Sequence, residues 1–90
     1  MFENLEQLIK KIRERKNSSS DQSYTSKLLK DHNLSVSKVK EEMGELIEAV
    51  EENSNKIHEA ADVIYHLMVY LESNNVKIED VMEELKKRQK

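Results

Sequence analysis

Apolar side chains recur at helical spacing along this chain, in segments that polar residues separate. The first segment predicts an amphipathic helix over residues 2–16, with basic residues in its last turn, where they interact favourably with the helix dipole. Pro is absent and the single glycine, Gly44, lies inside a periodic segment, so the chain is predicted to be all-α. The apolar residues of the first helix are Phe2, Leu5, Leu8, Ile9 and Ile12.

Four further helices follow from the same pattern. A polar loop at 17–23 precedes a short second helix from Tyr24 to about Asp31. His32 and Asn33 are predicted to connect it to a third helix, capped by Ser35 or Ser37, that ends before the polar segment 52–55. A fourth helix runs from about Lys56 to Ser73, and a fifth begins after the turn SNN. The third helix has an apolar stripe of Val36, Val39, Met43, Leu46, Ile47 and Val50, and the fifth has Val76, Ile78, Val81, Met82 and Leu85.

The length of the chain limits how much core it can form alone. Ninety residues correspond to a single domain, predicted here to span residues 1–90. A chain of this size removes little more than half of its unfolded surface from water, and this one has no Trp and a single Phe. We therefore expect a helical bundle of about five helices whose core is completed by dimerisation.

Composition excludes several classes of function. A net charge of -3 gives no general electrostatic attraction to nucleic acid or to an anionic membrane surface. Cys is absent, which excludes disulfides, thiolate chemistry and cysteine zinc sites. No apolar segment approaches the roughly 18–20 residues of a membrane span, and the N-terminal sequence lacks the order of a signal peptide. We expect a soluble, cytoplasmic protein.

One aspartate stands inside an almost continuous apolar run. The segment EAADVIYHLMVYL, residues 59–71, places Asp62 among apolar neighbours and His66 one helical turn later. Burial of an unpaired carboxylate costs several kcal/mol, so Asp62 is expected to have a partner. His66 alone is more often a satisfied core histidine than a catalytic base.

Two pairs of acids on consecutive helices indicate that the partner of Asp62 is a cation. Glu42 and Glu45 border the apolar stripe of the third helix, and Glu59 and Asp62 are three residues apart on the fourth. If the two helices pack antiparallel, these four carboxylates face one another and repel unless they bind protons or cations. Carboxylate oxygens without Cys favour Mg²⁺ or Mn²⁺, and Mg²⁺ commonly shares its shell with substrate phosphates. The pattern therefore predicts a metal site for a phosphate ester or anhydride, above all a nucleoside polyphosphate.

The spacing of these acids also carries a resemblance. EEMGE, thirteen residues and EAAD together resemble the Glu-x-x-Glu and Glu-x-x-Asp signature of the MazG-like all-α nucleoside triphosphate pyrophosphohydrolases. The segments IRERK, SYTSKLL, KVKEE, EAADVIYHLMVYL and IEDVMEELKKR are similar to the phosphoribosyl-ATP pyrophosphohydrolases of histidine biosynthesis, over nearly the whole chain. Lys40 departs from relatives, which often have a small or apolar residue there.

The resemblance implies an enzyme, a hydrolase that converts phosphoribosyl-ATP to phosphoribosyl-AMP and pyrophosphate with Mg²⁺, in a cytoplasmic homodimer or larger assembly. It implies Glu42, Glu45, Glu59 and Asp62 as metal ligands and Glu41, with Glu42, as catalytic. It further implies a nucleotide pocket whose substrate-binding residues are Arg15, Lys16, Tyr24, Thr25, Lys38 and His66. The cyclohydrolase that some relatives carry in front of this domain uses zinc and cysteines, so it is not expected in a chain without Cys.

Two alternatives remain open at this point. The chain could be a housekeeping pyrophosphohydrolase of ordinary or damaged nucleoside triphosphates, for which the basic and hydroxyl groups of the first two helices would not matter. It could instead be a non-catalytic helical interaction module, whose acids are solvated and keep a dimer soluble. Turnover of phosphoribosyl-ATP against dUTP and dCTP separates the two enzymes, and stabilisation by Mg²⁺ separates both from the module.

Overall fold

A computed structural model describes residues 1–18, 20 and 22–89 and contains five helices and no strand within them. The helices are α1 (Glu3–Lys16), α2 (Tyr24–Lys30), α3 (His32–Glu52), α4 (Lys56–Ser73) and α5 (Ile78–Arg88). The prediction of an all-α chain of five helices is confirmed. None of the helices in the described part has both the length and the apolar character of a membrane span.

The start of α3 differs from the prediction. His32 and Asn33, expected as a connection, form the first turn of the helix, and Ser35 is 1% exposed inside it rather than capping it. Asp31 is the N-cap, since its carboxylate accepts a hydrogen bond from Leu34 N at 3.1 Å. Asp31 also ends α2, where its backbone N–H donates to Lys27 O, so a single extended residue joins the two helices.

The apolar core is formed by α1, α2 and the C-terminal half of α4. Ile12, Leu28 and Val69 are almost completely buried there, with Ile9 and Met68 beside them. Ile78 at the start of α5 packs against the same cluster, whereas the other residues of α5 remain exposed or half-buried. The core thus lies at one end of α4, and the acidic residues of the same helix lie toward the other end.

The antiparallel pair α3–α4 buries a different face of α3 from the one expected. The buried positions of α3 are Ser35, Glu42 and Ala49, which recur every seven residues and therefore lie on one line of the helix. Met43, Ile47 and Val50 of the predicted stripe remain exposed by about half. The hairpin therefore buries one carboxylate inside and exposes an apolar surface outside.

The turn of this hairpin depends on two asparagines in the left-handed region. Asn53 and Asn55 have φ of 54° and 56°, a conformation that asparagine tolerates better than most residues. Asn53 ends α3, and its backbone N–H donates to Val50 O at 3.2 Å. A turn this short brings the acids of α3 and α4 to the same level.

An arginine joins three helices at the far end of α4. Arg13 Nε donates to Glu72 Oε2 at 2.9 Å, and its two terminal nitrogens donate to the Glu79 carboxylate at 2.9 and 2.6 Å. Glu72 is buried and belongs to α4, whereas Glu79 belongs to the first turn of α5. This bidentate pair attaches α5, which buries no side chain of its own.

Replacing Glu79 by glutamine is expected to destabilise the protein only above acidic pH. The hydrogen bonds from Arg13 lower the pKa of Glu79 from 4.5 to about 2. A lowered pKa in the folded state means that the stabilisation is present above pH 4.5 and is lost as the pH falls toward 2. Thermal melts of the wild type and of Glu79→Gln should differ near neutral pH and converge near pH 2.

Glu83→Gln on the same helix is the matched control, because Glu83 is exposed and outside this ion pair. It should leave the melting temperature nearly unchanged at every pH. A difference between wild type and Glu79→Gln that persists undiminished at pH 2 would contradict the role of the ion pair.

Candidate functional site

The carboxylates of Glu42, Glu45 and Glu59 meet where α3 packs against α4. One oxygen from each lies within 4.8 Å of the others. Glu42 is only 9% exposed, because it belongs to the line of α3 that faces α4. Glu42 Oε2 and Glu59 Oε2 have almost no exposed surface and no hydrogen-bond partner among the described residues. Two buried oxygens without a donor are a costly arrangement for a protein, and a cation would satisfy both.

The electrostatics of the group favour uptake of a positive charge. Burial is the main cause that raises the pKa of Glu42, followed by the hydrogen-bonded Glu45 carboxylate and the negative charge of Asp62. The pKa of Glu59 is raised by loss of hydration and by the charge of Glu45. The raised pKa values mean that the folded state disfavours the charged forms of Glu42 and Glu59. A bound divalent cation would offset that cost.

Asp62 lies beside this group rather than at its centre. Its side chain is 37% exposed, and its Oδ2 is 3.3 Å from His58 Nε2. Asp62 and His58 form a second group of possible ligand atoms, and this group also includes Glu59. The expectation that Asp62 is buried is therefore wrong: among the four predicted ligands the buried acid is Glu42. Consecutive residues of a helix point about 100° apart, so the apolar neighbours of Asp62 in sequence do not surround its carboxylate.

A hydrogen-bonded aromatic cluster lies next to the acids. His66 Nδ1 is 2.8 Å from the backbone oxygen of Asp62, which can only accept, so Nδ1 carries the proton. In the neutral imidazole the other nitrogen, Nε2, then accepts from Tyr24 Oη at 3.0 Å. Thr25 Oγ1 and Tyr65 Oη form a second hydrogen bond between α2 and α4. Tyr65, predicted only as a core or interface side chain, packs edge-on to His66, with ring centroids 4.9 Å apart.

The hydroxyl of Tyr24 faces the charged groups of α3. Burial raises the pKa of Tyr24, the positive charge of Lys38 lowers it, and Glu42 and Glu41 are near enough to raise it further. Lys38 Nζ pairs with Glu41 Oε2 at 3.0 Å, and both side chains are partly exposed. The structure thus places the ammonium group of Lys38 and the hydroxyl of Tyr24 at the edge of the acid group, on the side where α2 covers α4.

Two predicted residues of α1 lie elsewhere. Lys16 Nζ donates to the backbone oxygen of Glu72 at 2.7 Å and to Asn75 Oδ1 at 2.9 Å, and so caps the C-terminal end of α4. Glu72 follows Asp62 by ten residues of α4, a distance of about 15 Å along the helix. Arg15 is half-buried in the last turn of α1 and has interactions of its own. The structure therefore does not bring Lys16 to the acids within the same chain.

Two residues were missed from the sequence. His58 pairs with Asp62 at i, i+4 spacing. The segment KIHEAAD contains this spacing, but the pattern of apolar residues does not indicate it. Arg13 joins α1 to α4 and α5, and nothing in the local sequence distinguished it from Arg15. Its partners are 59 and 66 residues away, beyond the reach of a local pattern.

Comparison with known proteins identifies relatives over nearly the whole chain. The sequence model of the family described as "Phosphoribosyl-ATP pyrophosphohydrolase" matches residues 5–89. A phosphoribosyl-ATP pyrophosphatase of Bacillus cereus is 39% identical over 84 residues, which cover 90% of this chain and 78% of the relative. One of Methanococcoides burtonii is 37% identical over 83 residues, 86% of this chain and 83% of the relative.

A longer plant protein is also similar. The chloroplastic histidine biosynthesis bifunctional protein hisIE of Arabidopsis thaliana is 48% identical over 69 residues, or 73% of this chain. The match covers 25% of the length of that relative. No solved structure matches this chain.

Proposed function

The chain belongs to the phosphoribosyl-ATP pyrophosphohydrolase family, and from that membership we propose that it hydrolyses phosphoribosyl-ATP to phosphoribosyl-AMP and pyrophosphate. The reaction is a step of histidine biosynthesis, and we place it in the cytoplasm and in one domain over residues 1–90. The observation that supports the proposal most is the group of Glu42, Glu45 and Glu59, in which Glu42 is buried and two carboxylate oxygens have no donor among the described residues.

In this proposal Glu42, Glu45, Glu59 and Asp62 hold Mg²⁺, with Mn²⁺ as an alternative. The fit rests on the donor set, which consists of hard oxygen ligands on two packed helices, and on one oxygen each of Glu42 and Glu59 that no described residue contacts as a donor. When bound, the ion offsets the charge of the substrate phosphates and lowers the pKa of a water ligand.

The remaining side chains bind and orient the substrate. Glu41, next to the buried Glu42 and more exposed, accepts the proton of the water that cleaves the bond between the α and β phosphates. Lys38 shifts from Glu41 toward a phosphate oxygen and stabilises the charge that develops there. Tyr24, Thr25 and His66 line the pocket on the side of α2. Arg15 and Lys16 stay as predicted phosphate contacts, and Lys16 reaches a substrate only if it leaves Glu72 and Asn75.

Replacing Tyr24 by phenylalanine is expected to lower kcat/KM for phosphoribosyl-ATP about tenfold, since a hydrogen bond to a charged group contributes about 1.5–3 kcal/mol. The ring and its packing remain, so the melting temperature should change little. If His66 acts by orienting the Tyr24 hydroxyl, the double variant Tyr24→Phe/His66→Gln should lose no more activity than the worse single variant. Steady-state kinetics of the three variants measure this.

Tyr70→Phe is the control, because Tyr70 is a half-buried tyrosine of α4, the helix that contains His66, and its ring contacts His32 instead. It should retain full activity. Strictly additive losses in the double variant would contradict the proposed coupling between Tyr24 and His66.

We also propose that the exposed apolar surface of the hairpin forms a homodimer interface. Counting outward from the turn, Val50 of α3 stands level with Ile57 of α4, and Met43 with Ile64, and all four are exposed by more than two fifths. A single small chain seldom leaves such a surface in water, and a second copy of the chain would cover it.

Replacing both Ile47 and Ile64 by lysine is expected to convert the dimer to a monomer at micromolar concentration. Two charges per chain would otherwise have to be buried in the interface. Sedimentation velocity measures the change in mass. Met82→Lys on α5 is the control, since Met82 is equally exposed but lies outside the hairpin. If Met82→Lys dissociates the dimer and the hairpin variants do not, the interface has been assigned to the wrong face.

Turnover of phosphoribosyl-ATP, dUTP and dCTP at equal concentration tests the proposed activity. We expect phosphoribosyl-ATP to be preferred by a wide margin, because the basic and hydroxyl groups of α1 and α2 are expected to contribute only when the substrate has an additional ribose phosphate. These groups belong to Arg15, Lys16, Tyr24 and Thr25. A clear preference for a plain nucleotide would replace this proposal by a housekeeping pyrophosphohydrolase.

A further inference from the structure

Tyr65 contacts all three residues that line the proposed pocket on the side of α2, yet it has no role in the reaction as derived so far. Its hydroxyl is hydrogen-bonded to Thr25 Oγ1. Its ring is stacked on that of Tyr24, with centroids 6.4 Å apart, and lies edge-on to His66 at 4.9 Å. The ring also packs against the apolar core cluster, which keeps it in place on α4.

Helix α2 depends on α4 for its position, because it is only seven residues long. A helix this short is marginal in water by itself, so its contacts determine where its side chains point. Leu28 holds the C-terminal half of α2, since it is completely buried in the core. In the first turn, Tyr24 and Thr25 are held instead by hydrogen bonds to α4.

These two residues need two separate partners. Consecutive side chains of a helix point about 100° apart, so a single partner on α4 does not hold both. The consecutive residues Tyr65 and His66 diverge by the same angle, and each bonds one of them: His66 Nε2 accepts from Tyr24 and Tyr65 bonds Thr25. The hydroxyl of Thr25 is therefore oriented by Tyr65, independently of the bond between Tyr24 and His66.

The direction of the bond between Tyr65 and Thr25 decides what Thr25 can offer to a ligand. A phenol is a more acidic hydroxyl than an alcohol and therefore the better donor, and the threonine oxygen has lone pairs that accept. With Tyr65 as the donor, the hydroxyl hydrogen of Thr25 stays available for another acceptor. An ionised phosphate oxygen, which can only accept, is a strong partner for it.

We propose that Tyr65 is a positioning residue for substrate binding: its hydroxyl holds the Thr25 side chain so that the Thr25 hydroxyl donates to a phosphate oxygen of the substrate. Tyr65 acts through Thr25 and makes no contact with the substrate itself. The contact with the substrate rests on the proposed function, whereas the fixed orientation of Thr25 does not.

Tyr65→Phe tests the role in catalysis, because it removes the hydroxyl and keeps the ring. It should raise KM for phosphoribosyl-ATP about fivefold and leave kcat within about twofold, since the lost hydrogen bond serves binding alone. Thr25→Val should have the same effect, and Tyr65→Phe added to Thr25→Val should raise KM no further. Thr25→Ser, which keeps the hydroxyl, should retain the KM of the wild type. Losses that multiply in the double variant would overturn the proposal.

The orientation of Thr25 is measured in the free full chain, without substrate. Three-bond NMR couplings should show a single χ1 rotamer of Thr25 in the wild type and an average over more than one in Tyr65→Phe. Tyr70→Phe is the control, since Tyr70 is a half-buried tyrosine of α4 whose ring contacts His32. It should leave both the rotamer and KM unchanged.

The two measurements separate this inference from the proposed function. A Thr25 rotamer that is the same in Tyr65→Phe, or an unchanged KM in a Tyr65→Phe enzyme that turns over phosphoribosyl-ATP, overturns the positioning role and leaves the proposed function intact. A wild type that does not hydrolyse phosphoribosyl-ATP, with a Thr25 rotamer that Tyr65→Phe releases, overturns the proposed function and the substrate contact but supports the orientation of Thr25 by Tyr65.

Discussion

Replacing Asp62 by asparagine is expected to lower kcat/KM for phosphoribosyl-ATP by about 10²–10³-fold, a loss of the size seen when one group that stabilises charge in the transition state is removed. The amide keeps the shape of the side chain but removes a negative charge and one ligand oxygen. Asp62 is 37% exposed and its carboxylate is paired only with His58 among the described residues, so the fold should tolerate the change. Steady-state kinetics with circular dichroism measures both properties on one sample.

Glu51→Gln is the matched control for this variant. Glu51 is an exposed acid of α3 near the turn and belongs to neither group of ligand atoms. It should keep activity within about twofold, as surface substitutions usually do. An Asp62→Asn variant with full activity would remove Asp62 from the site and contradict the account of the four acids.

Replacing Glu42 by glutamine is expected to have opposite effects with and without metal. Burial and the neighbouring acids raise the pKa of Glu42, so the folded state becomes less stable as the pH rises through that pKa. At neutral pH without metal the wild type therefore carries this repulsion, and Glu42→Gln should melt at a higher temperature. With Mg²⁺ at about 100 times its Kd, the wild type should gain about 2.7 kcal/mol.

The variant should lose nearly all of that gain. If its Kd is about 100-fold weaker, the same Mg²⁺ concentration adds only about 0.4 kcal/mol. Thermal melts with and without Mg²⁺ measure the four values, with Glu51→Gln as the control that should follow the wild type in both conditions. A Glu42→Gln protein that melts lower without metal and still responds fully to Mg²⁺ would contradict the metal site. A wild type that does not respond at all would favour a non-catalytic interaction module.

The helices could be predicted because their signals are local. Apolar spacing, the absence of Pro and the polar breaks suffice for five helices, and the bounds of α4 agree with the prediction. The start of α3 failed for a local reason as well. Asp31, Ser35 and Ser37 are all acceptable caps, and the choice among them depends on how α2 packs, which the sequence pattern does not contain.

Burial was harder to predict than secondary structure. Asp62 is surrounded by apolar residues in sequence, yet Glu42, in a more polar segment, is the more deeply buried acid. The reason is that burial depends on which line of α3 faces α4, and that line contains Ser35, Glu42 and Ala49 rather than the apolar stripe. A pattern that counts apolar residues predicts the amphipathic face but not which neighbour covers it.

Long-range pairs could not be predicted at all. Arg13 and Lys16 have the same local surroundings as Arg15, and only the packing of α1 on α4 brings them to Glu72. The interpretation of Lys16 as a phosphate contact came from resemblance, and the structure shows it capping α4. His58 was within reach of a local rule, since i, i+4 spacing from Asp62 is visible in the sequence.

The most direct test of the account is an assay of products from phosphoribosyl-ATP with the purified chain, with and without Mg²⁺. We expect phosphoribosyl-AMP and pyrophosphate in equal amounts, at a rate that depends on Mg²⁺ and falls steeply in Asp62→Asn. Release of inorganic phosphate with phosphoribosyl-ADP, or turnover that is the same after removal of divalent cations, would contradict it.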